Sequence, residues 1–416
     1  MTRHLLRLIW NRKRSNFLIM VEILCAFLVL EGVVLMASHY VNNYRQPLGF
    51  SIDRVWGIRI DTKERAGNDK ALQAAQMATL RQLFNAVRDL PQVEAVCGGF
   101  TTPYSNASWT SDHKMNGREI DYAMNSATDT CNKVYDIPLT RGRWFDRSDD
   151  GAAYAPVIVN EQFAHDVFGD SDPLNKTVPV DRDPVREKQR ADFGEPPEKP
   201  MRVVGVIQDF RQHGEYASPE NYVIRRVDMS SPDASPERMM IIKLRAGTPP
   251  SFEETLAERL QSVAKDWSFG ITTLDTQRED KLLQYTGPLS LLAIVAGFLL
   301  LMVALGLTGV LWQNVTQRIR EIGLRRAKGA RIENIHRQIL GELIVMTSLA
   351  LLIGVVLLAQ IPLLPLPADF AFIPVSVFIL SIVMSVLSIY LITLLCGWYP
   401  ARLATKIQPA EALHYE

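Results

Sequence analysis

The chain has 416 residues with 45 basic and 45 acidic side chains, so its formal net charge is zero and it carries no basic excess for a nucleic-acid partner. Mean hydropathy is near zero, but the apolar residues collect in four runs, each long enough to cross roughly 30 Å of hydrocarbon as a helix. That distribution excludes a wholly aqueous protein and predicts an integral membrane protein.

Residues 1–16 are basic, with Arg3, Arg7, Arg12, Lys13 and Arg14. The first span, 17–39, is built on FLIMVEILCAFLVLEGVVLMA. Its apolar stretch is longer than the roughly 15 residues of a secretory signal and lacks an A-x-A-like cleavage site, so it reads as a retained anchor. Glu22 and Glu31 lie within it, where a charged carboxylate facing lipid is costly. At about 100° per residue the two point to opposite helix faces and do not make one ion site. Structural roles are expected for them rather than gating, protonated or hydrogen-bonded to span two or a partner protomer.

A polar region follows at 40–285, long enough for a domain with its own core. RVWGIRID (54–61) reads as a strand, and an amphipathic helix follows with Leu80, Phe84 and Val87 on one face. VEAVCG closes that unit as a strand. Near the other end MMIIKLRA (239–246) is a strand, and SFEETLAERLQSVAKDW predicts a helix with a Ser251/Glu254 capping box. Its apolar stripe is Phe252, Leu256, Leu260 and Val263, and FGITTLD ends the second unit. Two β-α-β units, about 50–100 and 237–278, pack naturally as a split α+β layer of the ferredoxin kind. Between them, about 101–236, lies an insertion with REIDYAMNSA, APVIVNEQFAHDVFG and RVVGVIQDF as strand, strand-helix and strand. Loops rich in proline and charge interrupt it near 181–200 and 230–236.

Catalytic signatures are missing from this region, which has no G-x-S-x-G and no H-E-x-x-H. Asp149 and Asp150 beside Gly151 read as turn chemistry. Cys97 and Cys131 form a candidate disulfide in an exported region, although sequence alone does not bring them together. A zinc site combining them with His113 or His213 lacks the usual ligand spacing. Cys25 and Cys396 fall in spans and read as small apolar groups.

Span two is 286–312, span three 339–361 and span four 373–398. The loop at 362–372 contains no Lys or Arg, whereas 313–338 and 399–416 do. With the basic N-terminus, this asymmetry predicts both ends in the cytoplasm and the large region outside, in the periplasm of a bacterium with an inner membrane. Within the cytoplasmic segment, RIREIGLRRAKGARIENIHRQ (318–338) holds seven Lys/Arg. Basic residues beside a membrane bind anionic lipid, at about 1 kcal/mol each. Lipid does not explain the rest of the pattern. Ile319 and Ile322 share a helical face, Glu321 precedes Arg325 by one favourable helical turn, and Gly329 breaks the pattern before Ile332, Ile335 and Ile339 resume it. An ordered, charged corner between two spans suits docking into a partner.

REIGLRRAKGA resembles the signature of FtsX-like permeases of the MacB type, the type VII ABC transporters. IPLTRGRWFDRSDD, VIVNEQFAHDVFG and RVVGVIQDFR are similar to blocks of that family's periplasmic domain, and YPARLATKIQPAEAL to its ending. The resemblance implies four transmembrane helices and a large α+β extracytoplasmic domain, in which the paired β-α-β units are the porter part and the insertion is a smaller subdomain. It implies that Arg320, Glu321, Gly323, Arg325, Arg326, Gly329 and Ala330 couple the permease to a cytoplasmic ATPase. Closure of two ATPase copies on ATP–Mg would then change the spacing of two outer domains, those of this chain and of a second permease protomer, identical or related. No G-x-x-x-x-G-K-[ST] loop is present, so the ATPase is expected on a separate chain, with no cofactor or catalysis on this one. A periplasmic adaptor and outer-membrane channel would complete efflux of a peptide, antibiotic or lipid-linked cargo. A signal relay to an extracytoplasmic partner and a lipoprotein-releasing permease are the alternatives.

Overall fold

A computed structural model describes residues 13–63, 69–181, 199–230, 238–317, 331–361 and 373–404, with 184, 188 and 324 singly. In chain order the elements are helix α1 (Lys13–Tyr44), strand β1 (Val55–Asp61), helix α2 (Lys70–Arg88), strands β2 (Val93–Gly99), β3 (Trp109–Met115) and β4 (Arg118–Ala127), and helix α3 (Cys131–Tyr135). Strands β5 (Leu139–Gly142) and β6 (Ala155–Asn160), helix α4 (Glu161–Phe168), and strands β7 (Met201–Ile207), β8 (Tyr222–Arg226) and β9 (Met239–Leu244) come next. Helix α5 (Phe252–Val263), strand β10 (Ser268–Thr273) and the long helices α6 (Leu274–Gln317), α7 (Ile332–Leu358) and α8 (Val375–Ala404) complete the chain. The backbone divides into two compact units: Asn43–Gln284, and the remainder, Met1–Asn42 with Tyr285–Glu416.

The larger unit is built on one sheet in the order β10-β1-β9-β2-β4-β8-β6-β7-β5, with β3 also on β4. Its first four strands are mutually antiparallel. Together with α2 and α5 they make the split β-α-β arrangement that the two terminal units predict. Apolar residues at period two on β1 and β9 and at helical spacing on α2 and α5 account for the layer. Ile58, Ile60, Met240 and Ile242 meet Leu80, Leu83, Leu256 and Leu260 in one core. The insertion continues the same sheet across a single residue pair, Gly99 opposite Ala127. Beyond that point β4 and β8 are parallel, as are β6 and β7. A second core gathers Val157, Val159, Val203, Val206 and Val223 around Phe163 of α4.

Two local expectations need correction. Helix α5 has no capping box, because Ser251 already adopts a helical conformation (φ −61°, ψ −11°) and its side chain caps nothing. The start is made one turn earlier, where Phe252 N and Glu253 N donate to the carbonyls of Pro249 and Pro250 at 3.0 and 3.2 Å. Asp149 is more than a turn residue. It closes the 3-10 turn Arg147–Asp149, capped by Asp146, and its buried carboxylate takes two guanidinium bonds from Arg143 at 2.8 and 2.6 Å. Strands β3, β5 and β8 and helix α3 are additions to the predicted insertion.

The second unit holds the apolar helices. Those long and apolar enough to cross a membrane cover Phe17–Tyr44, Leu274–Gln313, Glu333–Leu358 and Val375–Trp398. Ile23 and Phe27 of α1, Val303 and Leu307 of α6, Leu343 and Met346 of α7 and Ile389 of α8 share one core. Glu22 and Glu31 each meet a different helix. Glu22 lies against Gly306 of α6, its carboxylate oxygen 2.7 Å from where a Cβ would stand. Glu31 is buried and accepts a 2.7 Å hydrogen bond from Ser381 Oγ of α8. Their opposite faces therefore find separate neighbours. Thr347 and Thr393 also pair across α7 and α8 at 3.4 Å, as do Ser348 and Tyr390 at 2.8 Å. Small hydroxyls between helices replace the hydrogen bonds that hydrocarbon does not offer.

Candidate functional site

Arg320, Glu321, Gly323, Arg325, Arg326, Gly329 and Ala330 lie outside the described residues. What the structure does describe is the place in the larger unit where the last turn of α1 and the first turns of α6 are held. One segment, QDFRQHGEYA (208–217), follows β7 and reaches both helices.

Arg211 is the centre of the grip on α1. It is 2% exposed. Its Nη1 donates to Asn43 O at 2.6 Å and more weakly to Gln46 O at 3.4 Å. Its Nη2 donates to Glu215 O at 2.8 Å and also to Ala217 O. The final carbonyls of a helix have no partner within the helix, and the dipole there favours a cation. A buried guanidinium with several donors meets both needs at once. The Asn43 amide completes the attachment by donating to Tyr216 O at 3.0 Å.

Three side chains hold the start of α6. Thr102 Oγ1 donates to Gln277 Oε1 at 2.7 Å, and Lys281 Nζ donates to Asn106 Oδ1 at 2.7 Å. Arg278 pairs through Nε with Oε1 of Glu215, which also accepts from Tyr104 OH at 3.3 Å. Glu215 is 6% exposed, and its second oxygen, Oε2, is buried without a partner. Tyr104 comes this close because residue 214 is glycine. Gly214 has φ +90°, and a Cβ there would stand 2.8 Å from the tyrosine ring. The segment is tied down by Gln212, whose amide nitrogen donates to Ala107 O at 2.9 Å and whose carbonyl accepts from Tyr222 OH of β8 at 2.7 Å.

Electrostatics follow from this burial. The Tyr104 hydroxyl is pushed above its ordinary range, first by burial and then by the Glu215 carboxylate. Burial also pushes the Asp209 carboxyl up, against hydrogen bonds from Phe210 N and the Asn160 amide. His213 is pushed down by burial and then by the Lys281 ammonium. Among the described residues no group of three His, Cys, Asp or Glu is placed to hold a metal. The arrangement holds two helix ends on one short segment.

Elsewhere in the larger unit, Cys97 of β2 and Cys131 of α3 are joined as a disulfide, with Cα atoms 5.0 Å apart. Cys25 and Cys396 are free. Sequence reasoning did not single out Arg211, Glu215, Tyr104 or Arg278. Their signal was weak, a few charges in a polar loop, and only the adjoining RVVGVIQDFR block pointed to the neighbourhood.

Residues 27–259 match the family model of the MacB-like periplasmic core domain, and residues 293–409 match the FtsX-like permease C-terminal model. The macrolide export ATP-binding/permease protein MacB of Chlorobium phaeobacteroides is 28% identical over 370 residues, which cover 85% of this chain and 52% of that protein. The pyoverdine export ATP-binding/permease protein PvdT of Pseudomonas syringae is 27% identical over 295 residues, covering 68% and 41%. YvrN of Bacillus subtilis, described as an uncharacterized ABC transporter permease, is 24% identical over 403 residues, covering 93% and 88%. The chain thus spans about half the length of the first curated relatives it matches. The crystal structure of the periplasmic region of MacB from Actinobacillus actinomycetemcomitans aligns with 55% of this chain and 92% of its own at 15% identity, with a TM-score of 0.37. With the periplasmic core model alone covering more than half of its residues, and four apolar helices beside a large α/β domain, the chain belongs to the MacB/FtsX-like family of ABC transporter permeases.

Proposed function

We propose that this chain is the membrane subunit of an ATP-driven exporter that works by mechanical transmission. A separate ATPase, in two copies, binds the 318–338 segment through Glu321 and the surrounding basic residues, and consumes ATP–Mg there. Two permease protomers stand side by side with both termini in the cytoplasm and the large domain outside. The observation that carries the mechanical part is the clasp: one short segment of the large domain bonds to the end of α1 and, through Glu215, to the start of α6. A shift of either helix would be felt by the same loop. The relative called an ABC transporter permease, aligned over 93% of this chain, supports the permease reading. The relatives named for macrolide and pyoverdine export support efflux, with a peptide, antibiotic or lipid-linked molecule as cargo.

The test is purification of the tagged protein from its native membrane in mild detergent, with mass spectrometry of its companions. A Walker-motif ATPase should accompany the wild type and be lost from the Glu321→Lys variant, while both insert equally. A periplasmic adaptor in the same sample supports export, and a cell-wall hydrolase in its place would shift the reading to signal relay. If no ATPase is recovered even after cross-linking, the exporter proposal fails.

A further inference from the structure

The two halves of the large domain meet along a seam that contains a small cavity. Gly99 and Ile241 line it from the paired β-α-β units, and Thr101, Ser126, Tyr135 and Trp144 from the insertion. It offers about 20 Å³ of room for the centre of a water molecule, against the roughly 10–15 Å³ that one water needs. Its lining is not uniformly apolar. Ser126 Oγ, Tyr135 OH and Trp144 Nε1 are all buried without a hydrogen-bond partner among the described residues, in residues only 7%, 5% and 6% exposed. Three orphaned polar atoms on residues that line one small space are unusual, because native proteins satisfy nearly all such groups. Their chemistry is also complementary to one kind of occupant. The indole N–H only donates, while the two hydroxyls both donate and accept. A water molecule accepts from the first and exchanges bonds with the others, and about three bonds is the usual number for a buried water. An apolar occupant would leave all three atoms unsatisfied, and the space is too small for a larger polar molecule.

We infer that this cavity is a structural hydration site whose bound water links polar groups at the seam. The sheet crosses from one half to the other through the single pair Gly99–Ala127, and Cys131, a member of the disulfide to Cys97, also lines the space. The inference does not depend on the export reading.

Two oxygen-deleting variants of the full-length protein, Ser126→Ala and Tyr135→Phe, test it by thermal unfolding in detergent or nanodiscs. If water serves these atoms, each variant loses a bond to it and Tm falls. The double variant then loses less than the sum of the two, because the partners share the bound water. If the cavity is dry, each substitution removes an unsatisfied buried group and Tm rises. A rise, or no change in either variant, overturns the inference. A density map at a resolution that shows ordered water provides the second measurement. Water density within hydrogen-bonding distance of Trp144 Nε1 and at least one of the two hydroxyls supports the site, and clear protein density without it overturns the site.

Discussion

Asp149 has no exposed side-chain surface, and the guanidinium beside it is 41% exposed. Arg143 is thus a half-solvated cap on a fully buried anion. Its bonds, followed by the backbone N–H of Asp146, hold the Asp149 carboxyl below the usual range despite burial. Removing Arg143 leaves the buried carboxylate uncompensated but opens it to solvent, so Arg143→Ala should cost about 1–3 kcal/mol, seen as a lower midpoint in denaturant-induced unfolding. Asp149→Asn should cost less, because the amide keeps the shape and leaves only the half-exposed guanidinium unpaired. The carboxyl's folded pKa is depressed, so its contribution is present above the ordinary carboxylate pKa and is lost as pH falls through the folded value. His213 acts in the opposite direction. Its folded pKa lies below the ordinary 6.5, through burial and the nearby Lys281 ammonium, with Glu220 at 3.9 Å on the other side. The unfolded chain takes that proton more readily, so stability should be full above 6.5 and decline as pH falls from there toward the folded value. His213→Gln should flatten that part of a Tm-against-pH curve, and an unchanged slope would remove His213 as its source.

Helix starts show how local signals can be right in type and wrong in detail. Asp69 caps α2, its carboxylate accepting from Ala71 N at 2.9 Å and Leu72 N at 3.1 Å. Ser251 caps nothing, although Ser-x-x-Glu is the sequence form of a capping box. Two prolines before it set helical φ values early, and the helix is already under way when the serine is reached. Asp69→Ala should therefore destabilise by about 1 kcal/mol, while Ser251→Ala should stay within about 0.5 kcal/mol. Equal losses in Tm from both would show that the serine does cap the helix in solution. The same contrast explains what was legible at this scale. Strands β1, β7 and β9 carry runs of Val, Ile and Met that are buried on one or both faces, and their periodicity predicted them. Strand β3, WTSDHKM, is polar at nearly every position because it pairs with β4 at the margin of the sheet and buries little. Edge strands of that kind carry almost no hydrophobic pattern. Strand β8 is only five residues long and has two arginines, one of which, Arg226, is drawn into pairs with Asp129 and Asp150 at 2.7 Å.

At the scale of the whole molecule the four spans were legible because they are long apolar runs, and the paired β-α-β units because their strands and helices carry apolar stripes at matching spacing. The clasp was not, because Arg211 and Glu215 look like loop charges until the fold brings them to residues 43 and 278. Glu215 is the informative member. One of its oxygens is shared by Arg278 and Tyr104, and the other is buried without a partner. A carboxylate with one unused oxygen can exchange partners as a neighbouring helix shifts, which a saturated group does only at the cost of a broken bond. Arg211 is a poor place to test transmission, since its loss strands carbonyls at the end of α1 and in the clasp loop and risks the fold. The Glu215–Arg278 pair is better, because glutamine at 215 keeps the size of glutamate while removing its charge, and glutamine at 278 removes the charge and the guanidinium from a partly exposed position. A charge-assisted hydrogen bond contributes about 1.5–3 kcal/mol, reduced here because Arg278 is 34% exposed. On the proposed export mechanism, Glu215→Gln and Arg278→Gln should each lower transport several-fold, while membrane insertion, ATPase association and ATP turnover remain at the wild-type level. The double variant should be no worse than either single one, because both remove the same bond. If transport falls only in parallel with ATPase binding, the clasp is structural support. If transport is unchanged, the clasp carries no movement to the large domain.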